Sequence, residues 1–256
     1  MPSTLSHAQA MRYNRQIVLP QIDLEGQERL LNGSALVLGV GGLGCASALS
    51  LCSSGLGNLI LVDDDIVELH NLPRQILFNE SDVGRKKVDA AKQALSQRNS
   101  ECNISVLPNR LSDEELKHQI ATVDVVLDCT DNMDSREQIN RLCVELATPL
   151  VSGAAIRLEG QLFVWHPKTD APCYQCLSHL IPPMDLSCSE NGILGPVVTA
   201  IGTQQALLAV KILGDIGHAP TGSLQLFDAI THQWQTFKVK RQKGCPVCGT
   251  PSTLGK

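Results

Sequence analysis

Three glycines, Gly39, Gly41 and Gly44, with Gly42 between them, follow the apolar run SALVLGV and open a segment, Leu43 to Ser54, whose apolar residues fall at helical spacing. A strand that enters a helix through GxGxxG is the first turn of a nucleotide-binding βαβ unit. The next apolar run, NLILVDDD, places Asp63 at the end of a second strand, about 20 residues beyond the turn. Glycine lets the backbone approach a phosphate or ribose closely, the helix N-terminus favours an anion, and a carboxylate at Asp63 suits ribose hydroxyls. The motif leaves NAD, FAD and ATP all open, and a bare packing role for the glycines stays open beside them. The P-loop signature GxxxxGK[ST] is absent, so ATP would need another arrangement.

The pattern continues as α/β. Lys86 to Gln97 has helical spacing, Ile104 to Leu107 is strand-like, and VDVVLDCTDN, from Val123, is an apolar run ending in polar residues. Gln161 to Trp165, Leu224 to Phe227 and Gln233 to Val239 instead alternate and are joined by turn residues, which predicts antiparallel strands. The expected fold is therefore a Rossmann-like glycine-rich βαβ unit in one mixed sheet, parallel in the first half and antiparallel in the second. A chain of 256 residues needs no second core. We expect a single domain with an N-terminal helical arm (1–33), a nucleotide-binding half (34–150) and a second half (151–256) containing an irregular, mobile loop at 178–195.

A net charge of -5 without any Lys/Arg run argues against electrostatic capture of nucleic acid. The N-terminus lacks the pattern of a signal peptide. The longest apolar stretch, Val197 to Leu213, is interrupted by Thr203, Gln204 and Gln205, so it reads as a buried helix and not a membrane span. Ten cysteines without a leader point to a reducing, cytoplasmic setting.

A second constellation narrows the nucleotide. Asp63 and Asp65 are followed by NLPRQ (Asn71 to Gln75), then Lys87, and later DCTDN with Asp128, Asp131 and Asn132. Loops at the carboxyl ends of parallel strands converge on one crevice, so these residues can meet despite their separation. A nicotinamide-dependent oxidoreductase has little use for two cations and a late acid aimed at phosphates. Taken singly, Arg74 and Lys87 also read as surface charges, and Asp131 as the cap of a helix starting near Asn132.

Cys173 and Cys176 (CYQC) and Cys245 and Cys248 (CPVC) form two knuckles that together complete a four-thiolate zinc shell. A closed shell has no position for water or substrate, so the metal would be structural. Two redox dithiols or a disulfide pair are the other readings, disfavoured because neither CxxC is expected to open a helix in a thioredoxin-like context. Cys45, Cys52, Cys102, Cys129 and Cys143 read as small core residues. Cys188, between two serines in the irregular loop, is either an inert loop thiol or an auxiliary nucleophile.

RYNRQ (Arg12 to Gln16), GVGGLG, DDD ending at Asp65, NLPRQ, CTDN, the two knuckles and the Cys188 loop together resemble the MoeB/ThiF family of ubiquitin-activating-enzyme-like adenylyltransferases, from about Arg12 to Gly249. SGAAIRLEGQ, Ser152 to Gln161, resembles the molybdopterin branch, which we take first; DDDIV and LGPVV are nearer the thiamine branch. The resemblance implies ATP over Gly39, Gly41, Gly42 and Gly44, the ribose on Asp63, phosphates on Asn71, Arg74 and Lys87, and magnesium on Asp131. Asp65, Gln75 and Asn132 complete the nucleotide set. It further implies a homodimer in which Arg15 reaches the other subunit's phosphates. The implied partner is a ubiquitin-like sulfur-carrier protein with a C-terminal Gly-Gly tail, and Cys188 is a further candidate for a covalent link. Pro73 stands where the family commonly has glutamine, so any contact made by that amide is missing here. A non-catalytic zinc-stabilised partner is the remaining rival; it would not need the phosphate and magnesium residues.

Overall fold

A computed structural model describes residues 5–179 and 192–249. Strand β1 (Ser34–Leu38) is buried on both faces, with Ala35 and Val37 in the core on one side and Leu36 and Leu38 on the other. That double burial is why its sequence is an unbroken apolar run. β1 pairs in parallel with β2 (Asn58–Val62) and β4 (Val125–Asp128), β2 with β3 (Asn103–Leu107), and β4 with β5 (Leu150–Ile156). The chain then reverses. β5, β6 (Glu159–Trp165), β7 (Ser223–Asp228) and β8 (Gln233–Lys238) pair antiparallel in succession, giving one sheet of order β3-β2-β1-β4-β5-β6-β7-β8.

The expected change from parallel to antiparallel is present, and it falls at β5, a strand that periodicity does not reveal. After Leu150 and Val151 the strand runs through Ser152, Gly153, Ala154 and Ala155, small residues without a strand signature. They are small because a long helix crosses them: a Cβ on Gly153 would lie 2.3 Å from the Gln205 side chain.

The layers follow from these faces. On one side pack α4 (Gly42–Ser53), α5 (Lys87–Arg98) and α9 (Gly195–Gly214); on the other pack α6 (Asp113–Ile120), α7 (Met133–Glu145) and the short α8 (Tyr174–Ser178). At the N-terminus, α1 (His7–Arg12), α2 (Asn14–Ile17) and α3 (Asp23–Asn32) precede the first strand. By length and composition α9 would cross a membrane, but half of it is buried in this fold. Gly202 brings it against α4, where a Cβ would meet Leu43 O at 2.4 Å, and Ser47 Oγ donates to Gly202 O at 2.8 Å. The buried-helix reading of that apolar stretch therefore holds. Cys45, Cys52, Cys102, Cys129 and Cys143 are all buried, with Cys102 and Cys129 just outside β3 and β4. Residues 180–191 of the expected loop, Cys188 among them, lie outside the described residues.

Candidate nucleotide site and metal centre

In the order β3-β2-β1-β4 the chain leaves β1 to one side and returns on the other, so the switch point lies between the carboxyl ends of β1 and β4. The two following loops meet there. Gly39 has φ +87°, and a Cβ on it would stand 2.9 Å from Cys129 O and 3.3 Å from Thr130 N. A Cβ on Gly44 would stand 1.9 Å from Gly39 O. These two glycines make the turn and seat α4 against it. Gly41 is different: the nearest atom to its absent Cβ is Gln75 Nε2 at 3.9 Å, which leaves its surface open to a ligand. At Gly42 a Cβ would meet Val198 at 2.9 Å and Arg74 O at 3.2 Å, so this glycine lets α9 and the NLPRQ segment close over the turn.

Asp63 is fixed by the backbone around it: one oxygen accepts from Val40 N at 2.6 Å, the other from Asp65 N at 2.9 Å. Burial pushes its carboxyl pKa above the ordinary aspartate value, against the opposing pull of Lys87 and the two amides. Lys87, only 6% exposed, directs its ammonium to the exposed Asp65 carboxylate at 2.7 Å. Asn71 Oδ1 accepts from Glu68 N at 3.0 Å and closes the 3₁₀ turn Leu69–Asn71. Arg74 is half-buried and donates to His70 O at 2.8 Å. Gln75 is 3% exposed, and its Oε1 has no hydrogen-bond partner. A buried carbonyl oxygen left unpaired costs about 1–3 kcal/mol. The orphaned oxygen, on the amide whose nitrogen borders open Gly41, fits a polar ligand that brings its own donors, and the buried Lys87 ammonium, whose charge acts on Asp63, suits an anionic one.

The CTDN loop divides its roles otherwise than the cap reading of Asp131 proposes. Asn132 is the N-cap of α7, accepting from Ser135 N at 2.9 Å, because its backbone leaves the helix in the extended region. Asp131 is exposed and has no cap duty. Sequence reading missed Arg136, one turn into α7. It is 5% exposed, donates to Thr130 O and to Gly153 O at 2.9 Å, and lies 3.7 Å from Asp128, itself 1% exposed. Burial alone would lower the guanidinium pKa; the Asp128 carboxylate overrides it and holds it above its ordinary value. Asp128 also accepts from Thr130 Oγ1 at 2.7 Å and Ser152 Oγ at 2.8 Å. Gln205, missed likewise, donates to Asp128 O at 2.8 Å and Val151 O at 3.2 Å. An arginine one helical turn after the cap residue Asn132, in the helix that follows a strand-end acid, was the available signal. Burial pushes the Cys129 thiol up to about 12, which suits a core residue and not a nucleophile.

Arg15 is not brought to this crevice. Its helix docks at the C-terminal end of α4, through Gln16 Nε2 to Ser54 O at 3.0 Å, whereas the glycine turn lies at the N-terminal end. The 12 residues of α4 separate those ends by roughly 18 Å.

The four knuckle cysteines come together as expected, their sulfur atoms all within 4.8 Å of one another. Cys173 and Cys245 sulfurs are 3.7 Å apart, Cys176 and Cys248 sulfurs 3.5 Å. A tetrahedral shell with Zn–S near 2.3 Å requires sulfur separations of about 3.8 Å, so the donor set fits such an ion. Asn140 Nδ2 points at Cys173 Sγ (3.7 Å) and Gln242 N at Cys176 Sγ (3.5 Å), donors that favour thiolates. Contrary to expectation, CYQC does open a helix, since Cys173 is the N-cap of α8. That helix has only 5 residues, and the close sulfur contacts run between knuckles, unlike a redox dithiol.

The sequence profile of the ThiF family matches residues 13–247. The chain is 46% identical over 239 residues to the sulfur carrier protein ThiS adenylyltransferase of Escherichia coli, covering 93% of this chain and 95% of that protein. It is 45% identical over 245 residues to the E. coli molybdopterin-synthase adenylyltransferase, covering 96% and 98%. Among solved structures, E. coli MccB with AMPCPP and MccA superposes with a TM-score of 0.81 at 25% identity, over 93% of this chain and 74% of that one. The profile spans most of the chain and both relatives match nearly all of it, so the chain belongs to the ThiF family.

Proposed function

We propose that this protein uses ATP to adenylate the C-terminal glycine carboxylate of a ubiquitin-like sulfur-carrier protein, releasing pyrophosphate, and that it serves molybdenum cofactor biosynthesis in the cytoplasm. The observation that carries this reading is the crevice itself: open Gly41, anchored Asp63, buried Lys87 and the Arg74–Gln75 segment surround one switch point. In this reading Asp63 and Asp65 face the ribose side, and Asn71, Arg74, Gln75 and Lys87 face the phosphates. Asp131 holds magnesium, with Asn132 beside it. Magnesium would neutralise charge on the phosphoryl oxygens.

A carrier carboxylate is already ionised at neutral pH, so attack on the α-phosphate needs no general base. Positioning and charge neutralisation suffice, which matches a crevice with cations and no histidine among these residues. Arg15 acts on the other subunit of a homodimer: it stands at the far end of α4 from its own crevice, and its arm exposes apolar Met11, Val18, Leu19 and Leu24. An apolar face on so short an arm suits burial against a second copy. The four cysteines hold zinc as a structural ion tying the C-terminal knuckle to β6 and α8. The arm (1–33), the nucleotide half (34–150) and a carrier-binding half (151–256) work as one adenylyltransferase unit. Cys188 is an auxiliary candidate for a covalent link after adenylation.

A thiamine-pathway carrier is the competing substrate, because a sulfur carrier protein ThiS adenylyltransferase and a molybdopterin-synthase adenylyltransferase match at 46% and 45% identity. Incubation with ATP, magnesium and each carrier, followed by mass measurement of the carrier, decides. Added AMP on the molybdopterin carrier supports the proposal; AMP on the thiamine carrier alone reassigns the pathway, and AMP on neither refutes the reaction.

A further inference from the structure

Within RYNRQ, Tyr13 is buried and Gln16 half-buried, three residues apart and so on one face of a helical turn, while Arg12, Asn14 and Arg15 are exposed. Tyr13 is 2% exposed, and its hydroxyl accepts from Asn99 Nδ2 at 3.0 Å. The same amide donates to Cys52 O at 2.8 Å, and Asn99 Oδ1 accepts from Glu101 N at 3.2 Å, so Asn99 is fully engaged. The Tyr13 ring lies over Gly55, at φ +92°, where a Cβ would stand 2.8 Å from ring carbons. Three residues on, Gln16 Nε2 donates to Gln27 Oε1 at 2.7 Å, and Gln27 Nε2 donates to Ser54 O at 3.1 Å. Cys52 O and Ser54 O belong to the C-terminus of α4, where helix carbonyls lack intrahelical donors.

Two fastenings thus bracket Arg15, both made to the end of the helix whose other end carries the glycine turn. We propose that the buried Tyr13–Asn99 pair and the Gln16–Gln27 bridge set the direction in which Arg15 is presented to the second copy, making Asn99 a positioning residue for adenylation. The inference rests on the reading that Arg15 works in the other subunit's crevice. A α2 helix of 4 residues has too little hydrogen bonding of its own to hold an arginine in one direction. Misplacing a catalytic group by about 1 Å costs on the order of 10²-fold in rate.

Mixed dimers, purified through two different tags, separate positioning from general support of the fold. Lys87→Ala disables one crevice, and carrier-dependent pyrophosphate exchange then reports the other. With Asn99→Leu on the Lys87→Ala chain, the competent crevice is served by the altered arm, and exchange is expected to fall by tenfold to about 10²-fold. With Asn99→Leu on the competent chain, the serving arm is unaltered, and exchange is expected to match the Lys87→Ala/wild-type control. Tyr13→Phe, which keeps the ring and removes one hydrogen bond, is expected to give the same asymmetry at smaller size should Asn99→Leu fold poorly. Equal loss in both arrangements, or loss in neither, overturns the inference. Arg15→Ala run through the same two arrangements shows which premise failed. Asymmetry with Arg15→Ala but not with Asn99→Leu or Tyr13→Phe leaves the trans arginine standing and removes the positioning role. Loss only where Arg15→Ala sits on the competent chain, or a protein that forms no dimer, removes both.

Discussion

Replacing Arg136 by methionine keeps most of the side-chain volume and removes the charge opposite Asp128. The two charges lie 3.7 Å apart, which at an effective dielectric of 20 corresponds to an attraction of about 4.5 kcal/mol. Both groups are buried, so salt screens little of it. In Arg136→Met the Asp128 carboxylate keeps Ser152 Oγ and the Thr130 hydroxyl and amide, while the Thr130 and Gly153 carbonyls lose their guanidinium donor. Breaking one side of a buried pair costs about 3–5 kcal/mol, and the Coulomb figure falls in that range. Urea unfolding at matched metal content is expected to show a loss near 4 kcal/mol; with a slope of about 2.5 kcal/mol/M this lowers the midpoint by roughly 1.5 M. The double variant Asp128→Asn, Arg136→Met leaves no stranded charge and is expected to lose less than the sum of the single variants. A loss under about 1 kcal/mol for Arg136→Met, or strict additivity, refutes the reasoning, because solvent or the remaining donors would then satisfy Asp128 without the arginine.

The glycine turn predicts opposite outcomes at neighbouring positions. Gly44→Ala, with a Cβ 1.9 Å from Gly39 O, is expected to destabilise the fold by about 1–3 kcal/mol in thermal unfolding. Gly41→Ala, open on that side, is expected to unfold like the parent and to lose affinity in an ATP titration; equal melting losses would contradict this division. Arg74→Ala and Asp131→Ala are each expected to abolish carrier-dependent pyrophosphate exchange while the far-ultraviolet circular dichroism stays unchanged, and near-parent exchange would remove the residue from the site. Cys245→Ser is expected to release the metal, read by elemental analysis of the purified protein, and to lower stability; retained zinc would sink the four-thiolate assignment.

The sequence by itself determined the βαβ opening, the turn from a parallel to an antiparallel sheet, and the clustering of four cysteines at metal-ligand spacing. Each is written in local period or spacing: doubly buried strands are unbroken apolar runs, half-buried ones alternate, and a CxxC knuckle sets two thiolates for one ion. The residues proposed for the nucleotide could be picked out for a related reason, since every strand-end loop of a parallel sheet faces the same crevice. Tertiary structure decided what local pattern does not encode. Strand β5 is small because α9 presses Gln205 onto Gly153, and no neighbour in sequence records that pressure. Asn132 takes the helix cap and frees Asp131 through a difference in backbone geometry of one residue. Arg136 looks like a surface arginine until Asp128 and the Gly153 carbonyl enclose it. Arg15 sits in a motif that composition leaves without a purpose, and only the docking of Tyr13 and Gln16 shows that its segment lies at the opposite end of α4 from the glycine turn. Side-chain identity announces what a residue can do chemically, but burial, partners and direction arise from contacts between segments far apart in the chain, and those exist only once it has folded.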